Sequence, residues 1–320
     1  MDGASSVSPI TSEVDNDPFK DKLTDELLQG TSRTFALAIP LLAIERRRQI
    51  GLAYLLFRVA DSIEDAPDAD VASRVRLLTT FLDAANVDGN YFSGTVSDSD
   101  VAELTGLWPS ESAISELLLH TPTLIAILKA TSPAAANIIR KALNRTAVGM
   151  IQFLEASQIS SRQVQIQSVS ELQLYCYVVA GIVGEMLTDL FLSQHSIPQS
   201  SQSELQDLSR GFGEFLQLIN ILKDVDTDAL GGRFFIPNGI SRDSVLTLAV
   251  NAAKDADRYI CLLEENQFPA DVVSFCRFLY LLGVGTLNCL KPGTQANKLS
   301  REEVMRLLHC STETHQAVLL

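Results

Sequence analysis

Two short acidic runs in this 320-residue chain crowd charge where a helix selected only for stability would avoid it. In DSIED, Asp61, Glu64 and Asp65 stand at i, i+3 and i+4, so a helix presents these carboxylates on one face. In NILKDVDTD, Asn220, Asp224 and Asp228 stand at i, i+4 and i+8, with Asp226 on the opposite side. Pro67 follows the first run, and Gly231 and Gly232 follow the second. Both runs therefore close helices at the C-terminal end, where the macrodipole disfavours each anion by about 0.3 to 1 kcal/mol. One such run reads as a solvated helix end in an acidic protein; two of them point to a shared cation site.

Oxygen ligands with no neighbouring histidine or cysteine select a hard cation. A few ligands per helix suit Mg²⁺, which keeps waters and takes phosphate oxygens. Facing carboxylate clusters bridged by Mg²⁺ would clamp a diphosphate and let an allylic cation depart inside an apolar interior. Arg58, one turn before Asp61, and Lys223, next to Asp224, either help hold that diphosphate or form surface ion pairs.

The elements that must position these residues are helical almost everywhere, because apolar residues recur at helical spacing and no sustained alternating run is bounded by hairpin turns. The spacing predicts helices over 22–29, 34–65 with a break at Pro40, 71–86, 110–119, 133–157, 168–193, 202–228, 241–266 and 270–290. Breaks are expected at 66–68, 88–90, 93–100 and 231–232. The chain reads as all-α and single-domain, with a disordered tail over 1–20, a folded body over 21–309 and a second tail over 310–320.

Composition bounds the function. With 46% hydrophobic and 20% charged residues, the chain buries a sizeable core. A net charge of -14 repels polyanions and gives no footprint for nucleic acid or for an anionic lipid surface, so an anionic substrate must be held by metal or a few local cations. The five cysteines form no CxxC pair, which argues against a disulfide framework or zinc site and fits a cytoplasmic setting. The first twenty residues lack the pattern of a signal peptide. The apolar stretch 272–290 is long enough to span a bilayer, but Arg277 interrupts it and Gly283 and Gly285 suit tight packing, so it reads as a buried core helix rather than a transmembrane segment. The three arginines 46–48 read as a solvated helix face. Glu185 and Asp189 are either a third acidic feature of the cavity or ion-paired surface residues.

Five segments in order, TSRTFALAI from Thr31, FRVADSIED from Phe57, YCYVVAGIVG from Tyr175, FLQLINILKDVDTD from Phe215 and GRFFIP from Gly232, make the sequence resemble the squalene/phytoene synthase family. The resemblance runs from about Leu23 to Arg306. It implies an all-α isoprenoid-synthase bundle around a central cavity. It also implies Mg²⁺ bound through Asp61, Glu64, Asp65, Asn220, Asp224 and Asp228, with Gln217 in the same pocket. Arg33, Arg58 and Arg233 fall on family positions associated with diphosphate binding, and Lys223 stands where squalene synthases often have arginine.

Tyr175, by residue type alone a buried aromatic with a satisfied hydroxyl, matches the tyrosine that the family is thought to use in proton handling or cation stabilisation. Ala180, Gly181 and Gly184 allow close approach of either a backbone or an isoprenoid chain. The segment KLSREEV, with Lys298 and Arg301, resembles the one linked in squalene synthases to NADPH; it equally reads as a helix start capped by Ser300 with Glu303. No GxGxxG loop accompanies it.

The resemblance thus implies condensation of two farnesyl diphosphates to presqualene diphosphate and reduction to squalene. Within the family, a phytoene or dehydrosqualene synthase or a transferase to a non-isoprenoid acceptor stays open, and outside catalysis a prenyl-binding or assembly protein. An apolar product is compatible with peripheral membrane contact. Oligomeric state is not determined by the sequence.

Overall fold

The computed structural model describes residues 18–86, 96–157, 164–291 and 298–313. Most of the tail predicted for 1–20, the break at 88–90 and the last residues of the second tail lie outside the described residues.

Helix α1 (Pro18–Thr31) leads through a short α2 (Phe35–Ala38) and a 3-10 turn at Ile39–Leu41 into the long α3 (Ile44–Glu64). Pro40, with no N–H to give, marks the expected break. There follow α4 (Val71–Asn86), α5 (Asp98–Gly106), α6 (Ala113–Leu119), α7 (Thr121–Ala130) and α8 (Pro133–Ser157). Helix α9 (Val169–Cys176) runs through a wide π turn at Tyr177–Gly181 into α10 (Ile182–Gln194). The chain continues as α11 (Gln199–Leu230), α12 (Arg242–Glu265), α13 (Ala270–Cys289) and α14 (Arg301–Thr312).

Two helices depart from the sequence expectation. The stretch 93–100, read as a break, contains the start of α5: the Ser97 hydroxyl accepts from the Asp100 N–H while the Asp100 carboxylate accepts from the Ser97 N–H, a reciprocal cap. Helix α7 carries Pro122 in its first turn, where a missing N–H costs nothing. Serine and proline that punctuate loops elsewhere here begin helices. The fold also holds a parallel pair of two-residue strands, β1 (Val164–Gln165) and β2 (Arg233–Phe234), too short to leave an alternating pattern.

Helix α3 lies in the core, packed by α1, α4, α7 and α8, with Leu52, Leu55, Leu56 and Ile63 fully buried. Helix α11 packs against α10, α12 and α13. The arginines 46–48 are not simply solvated. Arg46 makes a two-pronged pair with Asp271 at 2.7 and 2.9 Å, Arg47 meets Asp25 at 2.6 Å and Arg48 meets Asp21 at 2.5 Å, so they tie α3 to α13 and α1.

The stretches Val169–Gln194 and Ala270–Cys289 are long and apolar enough to cross a membrane by length and composition, as is the bent pair of α6 and α7 taken as one. More than half of each of the first two is buried inside the bundle. In α13 the buried Arg277 is paired with Glu264 and donates to the Glu313 carbonyl at 2.8 Å, which gives a cation within an apolar helix a counter-charge and an acceptor.

Candidate functional site

Segments from α2, α3, the π turn, α10, α11, α13 and α14 enclose a cavity of about 480 Å³, within the usual range for small-ligand sites. One part of its lining is polar: α3 contributes Arg58 and Asp61, and α11 contributes Gln217, Asn220 and Lys223. Much of the remainder is apolar, including Phe35, Phe57, Leu216, Phe275 and Leu279. The helical period explains the division, since residues three or four apart share a face and each helix turns one polar strip inward.

The walls require close helix approach. A Cβ on Gly213 of α11 would lie 2.6 Å from the Ala180 carbonyl carbon, and one on Gly184 would lie 3.0 Å from the Ser209 carbonyl carbon. Ala180, Gly184 and Gly213 also line the cavity, so the small residues serve both helix contact and cavity wall.

A turn beyond Asp61 and Lys223 the two acidic runs are joined. Arg233 donates through Nη1 to Asp65 at 2.5 Å and through Nη2 to Asp228 at 2.9 Å, bridging the ends of α3 and α11. It reaches both because Gly231 caps α11, Gly232 turns the chain at φ 77°, and β2 then pairs with β1. Lys223 Nζ lies 3.2 Å from Asp224 and donates to Asn220 at 3.3 Å, while Asp226 is exposed, as its spacing implies.

The carboxylates are electrostatically loaded. Enclosure in the cavity wall pushes the Asp61 carboxyl up to about 7; Arg58, 3.8 Å away, pulls it down and Asp65 pushes it further up. Glu64 is only 5% exposed, and one of its oxygens is buried without a partner. Burial, then the charges of Asp65 and Asp61, hold it well above the usual carboxylate range. Burial also raises Asp228, partly offset by Arg233.

Among the described residues, no three histidine, cysteine, aspartate or glutamate side chains converge closely enough to hold a metal ion alone. The carboxylate and amide oxygens at the two helix ends are donors of the hard type that Mg²⁺ takes together with water and phosphate oxygens. The buried, unpartnered Nε atoms of Arg58 and Arg233 leave donors for an anion beside them.

The remaining candidates divide. Glu64 does not line the cavity but lies buried within the first cluster. Arg33 is exposed and outside the lining, although its neighbours Ser32 and Thr34 are part of it. Lys298 and Arg301 are exposed, whereas Leu299 and Val304 of the same segment line the cavity. The expected cap also forms there, since Ser300 accepts from the Glu303 N–H at 3.2 Å and Glu303 from the Ser300 N–H at 2.7 Å.

Tyr175 is buried between Phe153, edge-on at 5.2 Å, and Phe235 at 4.8 Å. Its hydroxyl has no hydrogen-bond partner among the described residues. Burial and then the nearby charges of Glu64, Asp65 and Asp61 keep it protonated far into the alkaline range. Glu185 takes the ion-paired alternative: it accepts from Arg145 at 2.6 Å and from the Tyr177 hydroxyl at 3.1 Å. Asp189 accepts from Gln206 at 3.4 Å, and neither acid lines the cavity.

Sequence reasoning missed Arg74. This arginine is 5% exposed, and its Nη1 donates to the Glu64 carbonyl at 2.9 Å, placing a buried cation at the end of α3 where dipole and carboxylates concentrate negative charge. The signal was present, because Arg74 falls in the apolar stripe of α4 with Leu77, Leu78 and Phe81. Phe235 and Phe153 carried no comparable signal, since only the fold brings them to Tyr175.

Residues 28–290 match the squalene/phytoene synthase family. The chain is 33% identical to a probable squalene synthase of Neurospora crassa over 70% of this chain and 44% of that protein. It spans less than half the length of that relative and of other fungal squalene synthases it matches. Among solved structures it resembles a ligand-bound TcSQS, at TM-score 0.75 and 22% identity over 92% of this chain and 86% of that one. A ligand-bound dehydrosqualene synthase follows at TM-score 0.52 and 18% identity over 92% and 98%.

Proposed function

Because the chain belongs to the squalene/phytoene synthase family, we propose that it joins two farnesyl diphosphates head to head to presqualene diphosphate with Mg²⁺, and reduces that intermediate to squalene with NADPH. The observation that carries the reading is the cavity whose polar wall is built from both acidic helices and whose remaining wall is largely apolar.

Asp61, Asp65, Asn220, Asp224 and Asp228, with Glu64 buried behind them, are the residues that would hold Mg²⁺. When bound, the metal supplies neutralisation of the diphosphate leaving group. Arg58 and Lys223, both on the polar wall, take diphosphate oxygens, and Gln217 orients the same group. The apolar wall excludes water from the allylic cation, which would otherwise be captured as an alcohol. Tyr175, its ring packed between Phe153 and Phe235, stays a neutral phenol beside the carboxylates and keeps its O–H as the group it could offer them or the diphosphate they hold. NADPH supplies hydride; Lys298 and Arg301, exposed beside the cavity-lining Leu299, are the cations that would meet its phosphates.

The test is incubation with farnesyl diphosphate and Mg²⁺, with and without NADPH, and identification of the hydrocarbon by mass. Squalene formed only with NADPH supports the full reading. A dehydrosqualene or phytoene-type product without reductant would move the assignment within the family, and absence of farnesyl diphosphate consumption would refute it.

A further inference from the structure

At the apolar end of the cavity, α14 separates the interior from water by the thickness of one helix. Leu299 and Val304 line the cavity beside Leu282, Gly283 and Thr286 of α13, while Arg301, Glu302, Glu303 and Met305 are exposed. A helix of 12 residues is marginal in water unless packing and caps hold it. Helix α14 packs chiefly on α13 and runs back along it. A Cβ on Gly285 would lie 3.1 Å from Leu299 and 3.4 Å from Leu307, and Arg277, about two turns earlier on α13, reaches the other end of α14.

That reach is a cap. Arg277 Nη1 donates to the Glu313 carbonyl at 2.8 Å and to the Ser311 carbonyl at 3.4 Å, so a cation meets the last carbonyls of α14, where the macrodipole is negative. Its Nη2 pairs with Glu264 of α12, which makes one side chain the junction of three helices. A buried ion pair adds little net stability over apolar residues of similar volume. Its effect is directional, because the carbonyls must sit where the guanidinium points, and α14 is thereby held at one position along α13.

Resting on the diphosphate reading above, we propose that Arg277 is a positioning residue for product fate: by fixing the C-terminal end of α14 it holds Leu299 and Val304 in the cavity wall and keeps water from the allylic cation. Arg277 does not line the cavity, so it acts only through α14. When this wall loosens, ionisation at the acidic end proceeds as before: the C–O bond to the diphosphate breaks and its electron pair leaves with the diphosphate. Water entering from the α14 side then forms the new C–O bond and gives up a proton to solvent, so a prenyl alcohol replaces hydrocarbon.

The test is turnover of farnesyl diphosphate with Mg²⁺ and NADPH in ¹⁸O-labelled water by the native protein, Arg277→Met and Arg277→Lys, with alcohols and hydrocarbons identified by mass. Capture of the cation places ¹⁸O in the alcohol, whereas hydrolysis at phosphorus leaves ¹⁶O there. Arg277→Met is expected to raise the labelled-alcohol share of product about tenfold, the shift that follows from losing bonds to a charged donor, with farnesyl diphosphate consumption within about twofold of native. Arg277→Lys, which keeps the charge without the fork, is expected to fall between, and it decides by the same readouts if the Met variant does not fold. Amide hydrogen exchange over α14, measured without substrate, is expected to quicken in the same order. An unchanged alcohol share overturns the proposal, whether consumption stays level or falls, since a fall alone is what a purely structural arginine would give. If the native protein consumes no farnesyl diphosphate, the diphosphate reading fails and this proposal with it, and quickened exchange in Arg277→Met then locates the failure in that reading and not in the seat of α14.

Discussion

Gly213→Ala offers a direct test of how α11 is seated. A Cβ there would lie 2.6 Å from the Ala180 carbonyl carbon and 3.0 Å from the Gly181 nitrogen, both backbone atoms. Carbon atoms prefer about 3.5 to 4.0 Å, so the π turn and α11 must part by roughly 1 Å. No rotamer change relieves a backbone clash, so the cost belongs near the top of the overpacking range, about 3 kcal/mol. Alanine in a helix interior returns about 1 kcal/mol of propensity, leaving a net loss of about 2 kcal/mol. Gly106, in the last turn of α5 with nothing within 4 Å of its would-be Cβ, supplies the control: Gly106→Ala is expected to stabilise by about 0.5 kcal/mol. Urea unfolding of the metal-free protein measures both. The displacement also shifts Gln217, Asn220 and Lys223 relative to Asp61, so turnover is expected to fall with stability. A Gly213→Ala protein within about 0.5 kcal/mol of the native one would refute the close-packed wall.

Three further outcomes follow from the site. Arg74→Met removes the buried cation that donates to the Glu64 carbonyl at the end of α3 and is expected to cost about 2 to 4 kcal/mol; urea denaturation checks it. Asp61, raised to about 7, and Glu64, also raised, bind protons more tightly folded than unfolded, so the Asp61 contribution to stability is largest at acid pH and falls as pH rises from about 4 through 7. Asp61→Asn should therefore stabilise the metal-free protein at pH 8, change little at pH 5 and abolish prenyl diphosphate consumption; equal effects at both pH values would remove the electrostatic explanation. Tyr175→Phe deletes a hydroxyl that holds no hydrogen bond among the described residues, so unfolding should shift by less than about 0.5 kcal/mol while turnover or product identity changes. An unchanged product at unchanged rate would leave Tyr175 as packing alone.

How far the sequence reached follows from the range of each interaction. The long amphipathic helices at 71–86 and 133–157 were expected with the boundaries they have, because a sustained apolar period is a local property. Helices α5 and α7 were missed because their first turns use serine and proline, residues whose loop and cap roles look alike until the backbone is seen. The arginine triplet was misread as solvated because its partners lie on α1 and α13, as far away as Asp271.

By itself the sequence determined the all-α class, the position of both acidic runs at helix C-termini and the turn of Asp226 away from them. Each of these depends only on spacing along one helix. Tertiary structure decided which charges meet. Arg233 joins Asp65, 168 residues away, to Asp228, and Arg74 from the next helix underlies the first cluster. Glu64, equal to its neighbours in the sequence, is buried behind them. The physical reason is that a carboxylate's state depends on the cations and dielectric within a few ångströms of it, and those are supplied by whichever elements the fold packs there.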